Sequence, residues 1–154
     1  MESYEINKET CAVVSINDKV SKIIENDYEY FVNKNTYEVM EDSCQYYGSS
    51  YGGRYIGAKK LLEMEYKLPI IVDEVQEVVI FPTCSPRQKD CMWICLNNVE
   101  NYERFKKNSI VKFTNSFHYE LDISHNCLEN QILRATLLMS KLKKRKSNPK
   151  KIAK

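Results

Sequence analysis

Four glycines, two serines and three cations crowd one short stretch of this chain. Gly48, Gly52, Gly53 and Gly57 fall within ten residues, in the run CQYYGSSYGGRYIGAKK, and no other glycine occurs in the 154 residues. Glycine lets a ligand or a second backbone come close. Ser49, Ser50 and Tyr51 add hydroxyls, and Arg54, Lys59 and Lys60 add positive charge, which together suit a surface for phosphate oxygens. The same composition suits a tight turn leading into a closely packed helix start, and the residues alone leave both readings open. Spacing argues against two nucleotide motifs. Gly52 and Gly57 bracket four residues as a P-loop does, but Ala58 stands where the lysine belongs and Lys59 where the metal-binding hydroxyl belongs. The glycine spacing also fails the dinucleotide-binding fingerprint.

Cys84, Cys91 and Cys95 form the other concentration of reactive side chains, with His118 and His125 further on. Structural zinc favours close pairs such as C-x₂-C, whereas six and three residues intervene here. Cys91 and Cys95 also sit in the apolar run CMWICL, so buried thiols are expected rather than a metal site. No recognised nucleophile motif surrounds any cysteine, and neither an enzyme activity nor a cofactor is expected.

Charge divides the chain. The net charge is +2, but residues 141–154 hold eight cations and no acid, leaving 15 of the 23 cations against 21 acids in residues 1–140. A basic appendage on a mildly acidic body points to nucleic acid, an acidic surface or a solvated tail. The acidic start MESYEINKETCAVV lacks the features of a secretory signal, and no apolar run approaches the roughly 18 residues of a membrane helix. A cytoplasmic, nucleoid-associated protein without a membrane partner is expected, its six cysteines reduced.

The elements that must position these residues read as follows. Short strands over 3–8, 10–16, 22–25 and 28–33 form a meander, with turns at Asn17-Asp18, Asn26-Asp27 and 33–36. A helix with an irregular start covers roughly 49–65. Pro69 to Asp73 and Glu77 to Thr83 are strands joined by DEVQE, and the loop CSPRQKD presents Arg87 and Lys89 before the strand from Cys91 to Leu96. One helical turn is expected over 102–107, and a hairpin over 110–123. Asn126, with Glu129 three residues on, marks the start of a C-terminal helix. Leu128, Ile132, Leu133, Leu137, Leu138 and Leu142 make its apolar stripe, and Arg134, Lys141, Lys144 and Arg145 its polar side, ending near Lys146. The fold class is α+β: one antiparallel, β-rich domain over 1–146 with a short central helix and a C-terminal amphipathic helix, followed by a basic tail over 147–154.

Several segments in order resemble the ComK family of competence transcription factors: SKIIE at 21–25, YYGSSYGGR at 46–54, PIIVD at 69–73, IFPT at 80–83, CMWI at 91–94 and LENQILRA at 128–135. Each motif is short, but the ordered set is specific and spans about residues 3–145. The resemblance implies a DNA-binding activator of DNA-uptake genes that recognises paired AT-rich boxes in double-stranded DNA, largely through the minor groove, as a homodimer or higher oligomer. A-tracts narrow that groove and attract an inserted guanidinium, for which Arg54 is the expected residue. Ser49, Ser50 and Tyr51 would bond sugar or phosphate oxygens, and Lys59, Lys60, Arg87, Lys89 and Arg134 would face the charged backbone. Adaptor and protease partners are a further expectation, although family members commonly carry the segment linked to adaptor-directed proteolysis past the point where this sequence stops. The alternative reading is a shortened regulatory paralogue acting by protein–protein interaction with a full-length relative.

Overall fold

Strands β1 (Thr10–Asn17), β2 (Val20–Glu25) and β3 (Glu29–Val32) form the meander, followed by helices α1 (Thr36–Tyr46) and α2 (Tyr51–Leu62). Next come β4 (Ile70–Asp73), β5 (Val78–Pro82), β6 (Met92–Cys95), a 3₁₀ turn (Leu96–Asn98), β7 (Val99–Phe105), β8 (Asn108–Phe113), β9 (His118–Leu121) and α3 (His125–Ser147). The structure is a computed structural model that describes residues 1–26, 28–86 and 91–148. The class is α+β, as the sequence predicts, with two central helices in place of one.

All pairings are antiparallel. Six strands form one sheet in the order β3-β2-β1-β6-β5-β4, and three form a second, β7-β8-β9. β1 joins the N-terminal meander to the later strands through Ala12–Ile94, Val13–Trp93 and Val14–Met92 pairs. β4, β5 and β6 are buried along their whole length. Antiparallel strands usually alternate apolar and polar residues because one face meets water. Here both faces are covered, which is why these strands read as unbroken apolar runs. Ile6, Val13, Val39, Met40, Ile80 and Trp93 fill the layer under α1. Phe81, Ile94, Phe113, Leu128 and Leu138 fill the opposite layer, under α3 and the small sheet. Each fully buried side chain of this size contributes about 1.5–3 kcal/mol.

Several elements depart from the sequence expectation. Residues 3–8 are not a strand. Tyr4 and Ile6 are buried, but the Ile6 amide donates to Ser43 Oγ of α1 at 3.0 Å rather than to a strand. Residues 102–107 are the end of β7 and a turn with Lys106 at φ 56°, not a helical turn. α3 is capped by Ser124, whose Oγ accepts from the Cys127 amide at 3.2 Å, and not by Asn126. Its inward stripe is Leu128, Gln131, Ala135, Leu138 and Met139, whereas Leu133 and Leu137 face outward, 59% and 41% exposed. Seven- and three-residue spacing selects the first set and turns the second away.

Amide side chains hold the layers in register. Asn98 Nδ2 donates to the carbonyls of Lys8 (2.9 Å) and Thr10 (2.7 Å), while its own carbonyl accepts from the Thr114 amide at 3.0 Å. It thus pins the start of β1 to the small sheet. Gln131 Nε2 ties α3 to the carbonyls of Pro82 (2.7 Å) and Lys67 (3.0 Å). Asn98→Ala leaves the buried Thr10 carbonyl unpartnered and should lower the unfolding free energy by about 2–3 kcal/mol in urea titrations, with Asn98→Asp, which lacks the donor, no better.

Candidate nucleic-acid interface

The glycine-rich segment is two helix ends placed back to back. α1 opens on a reciprocal cap between Asn35 and Glu38 and closes at Gly48, whose φ is +85°. The Gly48 amide donates to the Gln45 carbonyl and the Ser49 amide to that of Cys44, both at 3.0 Å. This is a Schellman closure, which needs a residue that tolerates the left-handed region. α2 starts three residues later. Ser50 Oγ accepts from the Gly53 amide at 3.0 Å, and a Cβ on Gly53 would lie 3.1 Å from that oxygen. The Tyr51 amide donates to Glu41 Oε2 of α1 at 2.8 Å. The positive end of α2 therefore already has an internal carboxylate.

α2 lies over the β4 edge of the large sheet. Ala58, Leu61 and Leu62 belong to the α3 layer, and Tyr51 and Tyr55 pack against the α1 layer. The Tyr51 ring meets Tyr37 edge-on at 5.4 Å and Trp93 edge-on at 6.3 Å. Burial pushes its hydroxyl pKa up to about 12. Tyr51 and Ser50 thus hold the helix in place, while Ser49 stands half-exposed beside it. Gly52, Gly53, Ile56, Lys59 and Lys60 are exposed on the outer side, where Gly52 and Gly53 leave bare backbone.

Arg54 sits in the first turn of α2, within the helix expected over roughly 49–65. It is half-buried, and its Nε is enclosed without a hydrogen-bond acceptor among the described residues. Arg54, Ser49, Gly53 and Gly57 line a cleft of about 200 Å³ whose far wall is Leu138 and Leu142 of α3. The C-terminal end of α3 therefore runs beside the start of α2. Lys143 and Lys146 there pair with Glu77 and Glu74, the latter at 2.5 Å. Lys141, Lys144 and Arg145 make no ion pair among the described residues. Cations at a helix C-terminus also complement its dipole.

The remaining predicted contacts divide. Lys59 lies 3.7 Å from Glu65, and Lys60 has no acid partner among the described residues. Arg134 is not part of this edge. It donates to the Tyr66 carbonyl (3.2 Å) and to Gln131 Oε1 (3.3 Å), tying α3 to the segment after α2. It stands about 16 Å along the helix from Arg145, at 1.5 Å per residue. Arg87, Lys89 and the tail beyond 148 lie outside the described residues. A second cationic feature escaped sequence reasoning: Arg104, Lys106 and Lys107 at the β7–β8 hairpin tip, beside Phe105. The only signal was the RFKK cluster itself, because no glycine marks the turn. Among the described residues no group of three or more His, Cys, Asp or Glu is placed to hold a metal ion, and no helix is long and apolar enough to cross a membrane.

Residues 1–147 match the family model described as ComK protein. The chain is also similar to the competence transcription factor of Bacillus subtilis (strain 168). The two are 37% identical over 149 residues, covering 94% of this chain and 78% of that protein. No solved structure matches. With nearly its whole described length accounted for by one family model, and a relative this similar, the chain belongs to the ComK family.

Proposed function

We propose that this protein is a DNA-binding transcription activator of DNA-uptake genes, recognising paired AT-rich boxes largely through the minor groove. The relative named as a competence transcription factor supports the biological role. The observation that carries the mode of binding is Arg54, whose unpartnered Nε lies between a side-chain-free stretch of helix and the basic end of α3. Turning this side chain outward breaks no hydrogen bond at Nε. An A-tract's narrow minor groove concentrates negative potential and rewards an inserted guanidinium. Gly52 and Gly53 let the helix backbone approach the duplex, and Lys60, Lys141, Lys144 and Arg145 neutralise flanking phosphates. Because Glu41 occupies the Tyr51 amide, side chains rather than the helix N-terminus hold the phosphates. Binding as a dimer or higher oligomer on paired boxes belongs to the same proposal, with Leu133 and Leu137 on the outer side of α3 available to a second copy.

Gel-shift titrations and footprints on AT-boxed and GC-rich duplexes test it. Arg54→Ala should reduce the preference for AT boxes more than total affinity. Lys60→Ala should weaken both duplexes alike and lower the log–log salt slope by about 0.9. If the wild-type protein bound both duplexes equally at about 0.15 M salt, the proposed function would fail.

Gly52→Ala separates contact from scaffold. A Cβ there meets no atom of the fold within 4 Å. The substitution should raise stability by about 0.5–1 kcal/mol in thermal unfolding while weakening DNA binding. A stabilised variant with unchanged binding would place this face away from the duplex.

A further inference from the structure

β5 and β6 continue their pairing beyond the sheet, and the continuation brings two thiols together. Pro82 pairs with Trp93, and the Thr83 amide donates to the Met92 carbonyl at 2.8 Å. The Met92 amide turns back to Thr83 Oγ1 at 3.2 Å. Cys84 follows Thr83 and Cys91 precedes Met92, so the next residue on each arm is a cysteine. Cys91 Sγ already lies against its partner, donating to the Cys84 carbonyl at 3.5 Å.

Cys11 and Cys95 also neighbour each other where β1 meets β6, but neither thiol is reachable. Cys11, Cys44 and Cys95 are fully buried, out of reach of an oxidant, and Cys127 is exposed on the first turn of α3. Cys84 is half-buried and Cys91 is 1% exposed. One thiol of the pair is therefore reachable and the other is held directly behind it, the layout of an attacking and a resolving cysteine. Burial, reinforced by the neighbouring Cys84, pushes the Cys91 thiol up to about 12, so Cys84 is the group that meets the oxidant first.

We propose that Cys84 and Cys91 form a reversible dithiol–disulfide site that reacts with hydrogen peroxide or a comparable hydroperoxide. The Cys84 sulfur attacks one peroxide oxygen and the O–O bond breaks. The sulfur is oxidised to a sulfenic acid and one water leaves. The Cys91 sulfur then attacks the Cys84 sulfur, the S–O bond breaks and the S–S bond forms. The departing hydroxyl takes the Cys91 proton as a second water. Two thiols lose two electrons, and one peroxide becomes two waters. The new bond links the ends of β5 and β6 beside Trp93 and Tyr51, and so couples to the seat of α2.

The test uses the reduced full chain, treated with stoichiometric hydrogen peroxide, alkylated and digested with trypsin, with no DNA present. Arg87 and Lys89 lie between the two cysteines, so cleavage there leaves two peptides joined only by the disulfide. The expected result is a loss of two of the six free thiols. A Cys84–Cys91 peptide pair should appear, and dithiothreitol should restore both thiols. Cys91→Ser should stop at a Cys84 sulfenic acid that dimedone traps, and Cys84→Ser should leave Cys91 alkylatable. Overoxidation of wild-type Cys84 to sulfinic acid with Cys91 still free would overturn the proposal. So would oxidation confined to Cys127. The wild-type peptide map decides even if a variant fails to fold.

Discussion

The pairing of β1 with β6 is the constraint on which the rest of the architecture depends. It fuses a local meander to strands drawn from the middle of the chain, making one sheet in which β5 and β6 see no water on either side. Once both faces are apolar, two covering layers are required. α1 and the N-terminal segment supply one, and α3 with the small sheet supplies the other. α2 is left to close the β4 edge, where unpaired backbone groups would otherwise template association. The candidate interface is thus the outer surface of an edge cover, held by Tyr51 and Tyr55 on one layer and by Leu61 and Leu62 on the other.

Polar side chains complete what strand pairing cannot. Among the described residues the two sheets share no ladder, and Asn98 crosses between them. Asn97 Nδ2 donates to the Glu77 carbonyl at 2.6 Å, and its Oδ1 accepts from the Val79 amide at 3.3 Å, supporting the start of β5. Gln131 performs the corresponding task between α3 and the end of β5. Each substitutes for a backbone partner at a place where regular structure stops, and each buried donor is met.

What the residues disclosed follows from how strongly local chemistry agreed with tertiary demand. β4, β5 and β6 were legible because burial on both faces leaves an unmistakable apolar run. α1 was not. Its buried face includes Ser43, and its apolar positions are only Val39, Met40 and Cys44, too few to show a period. The pattern Asn-x-x-Glu that suggested a cap at Asn126 occurs also at Asn35, where it does form the reciprocal cap. At the C-terminal helix Ser124 takes that position instead, two residues earlier. The cations of the candidate site were visible as composition, but their setting was not. Four glycines suggested one helix with an irregular start, whereas Gly48 ends a first helix and the other three are absorbed into the next, where packing outweighs propensity. Arg134 looked like its cationic neighbours in the sequence, and only the fold brings the Tyr66 carbonyl to it.

The span between β1 and its partner also bears on synthesis. Val14 cannot meet Met92 until some eighty further residues have been added. At about 5–20 residues per second, β1 waits roughly 4–16 s for β6, with Ala12 and Ile24 on the face that α3 covers last. Contacts this distant in sequence are also slow to form once available. The nascent chain is therefore the stage at which this protein is most open to chaperones and proteases. Changes in the final third of the chain will alter how much protein accumulates even where they touch no ligand.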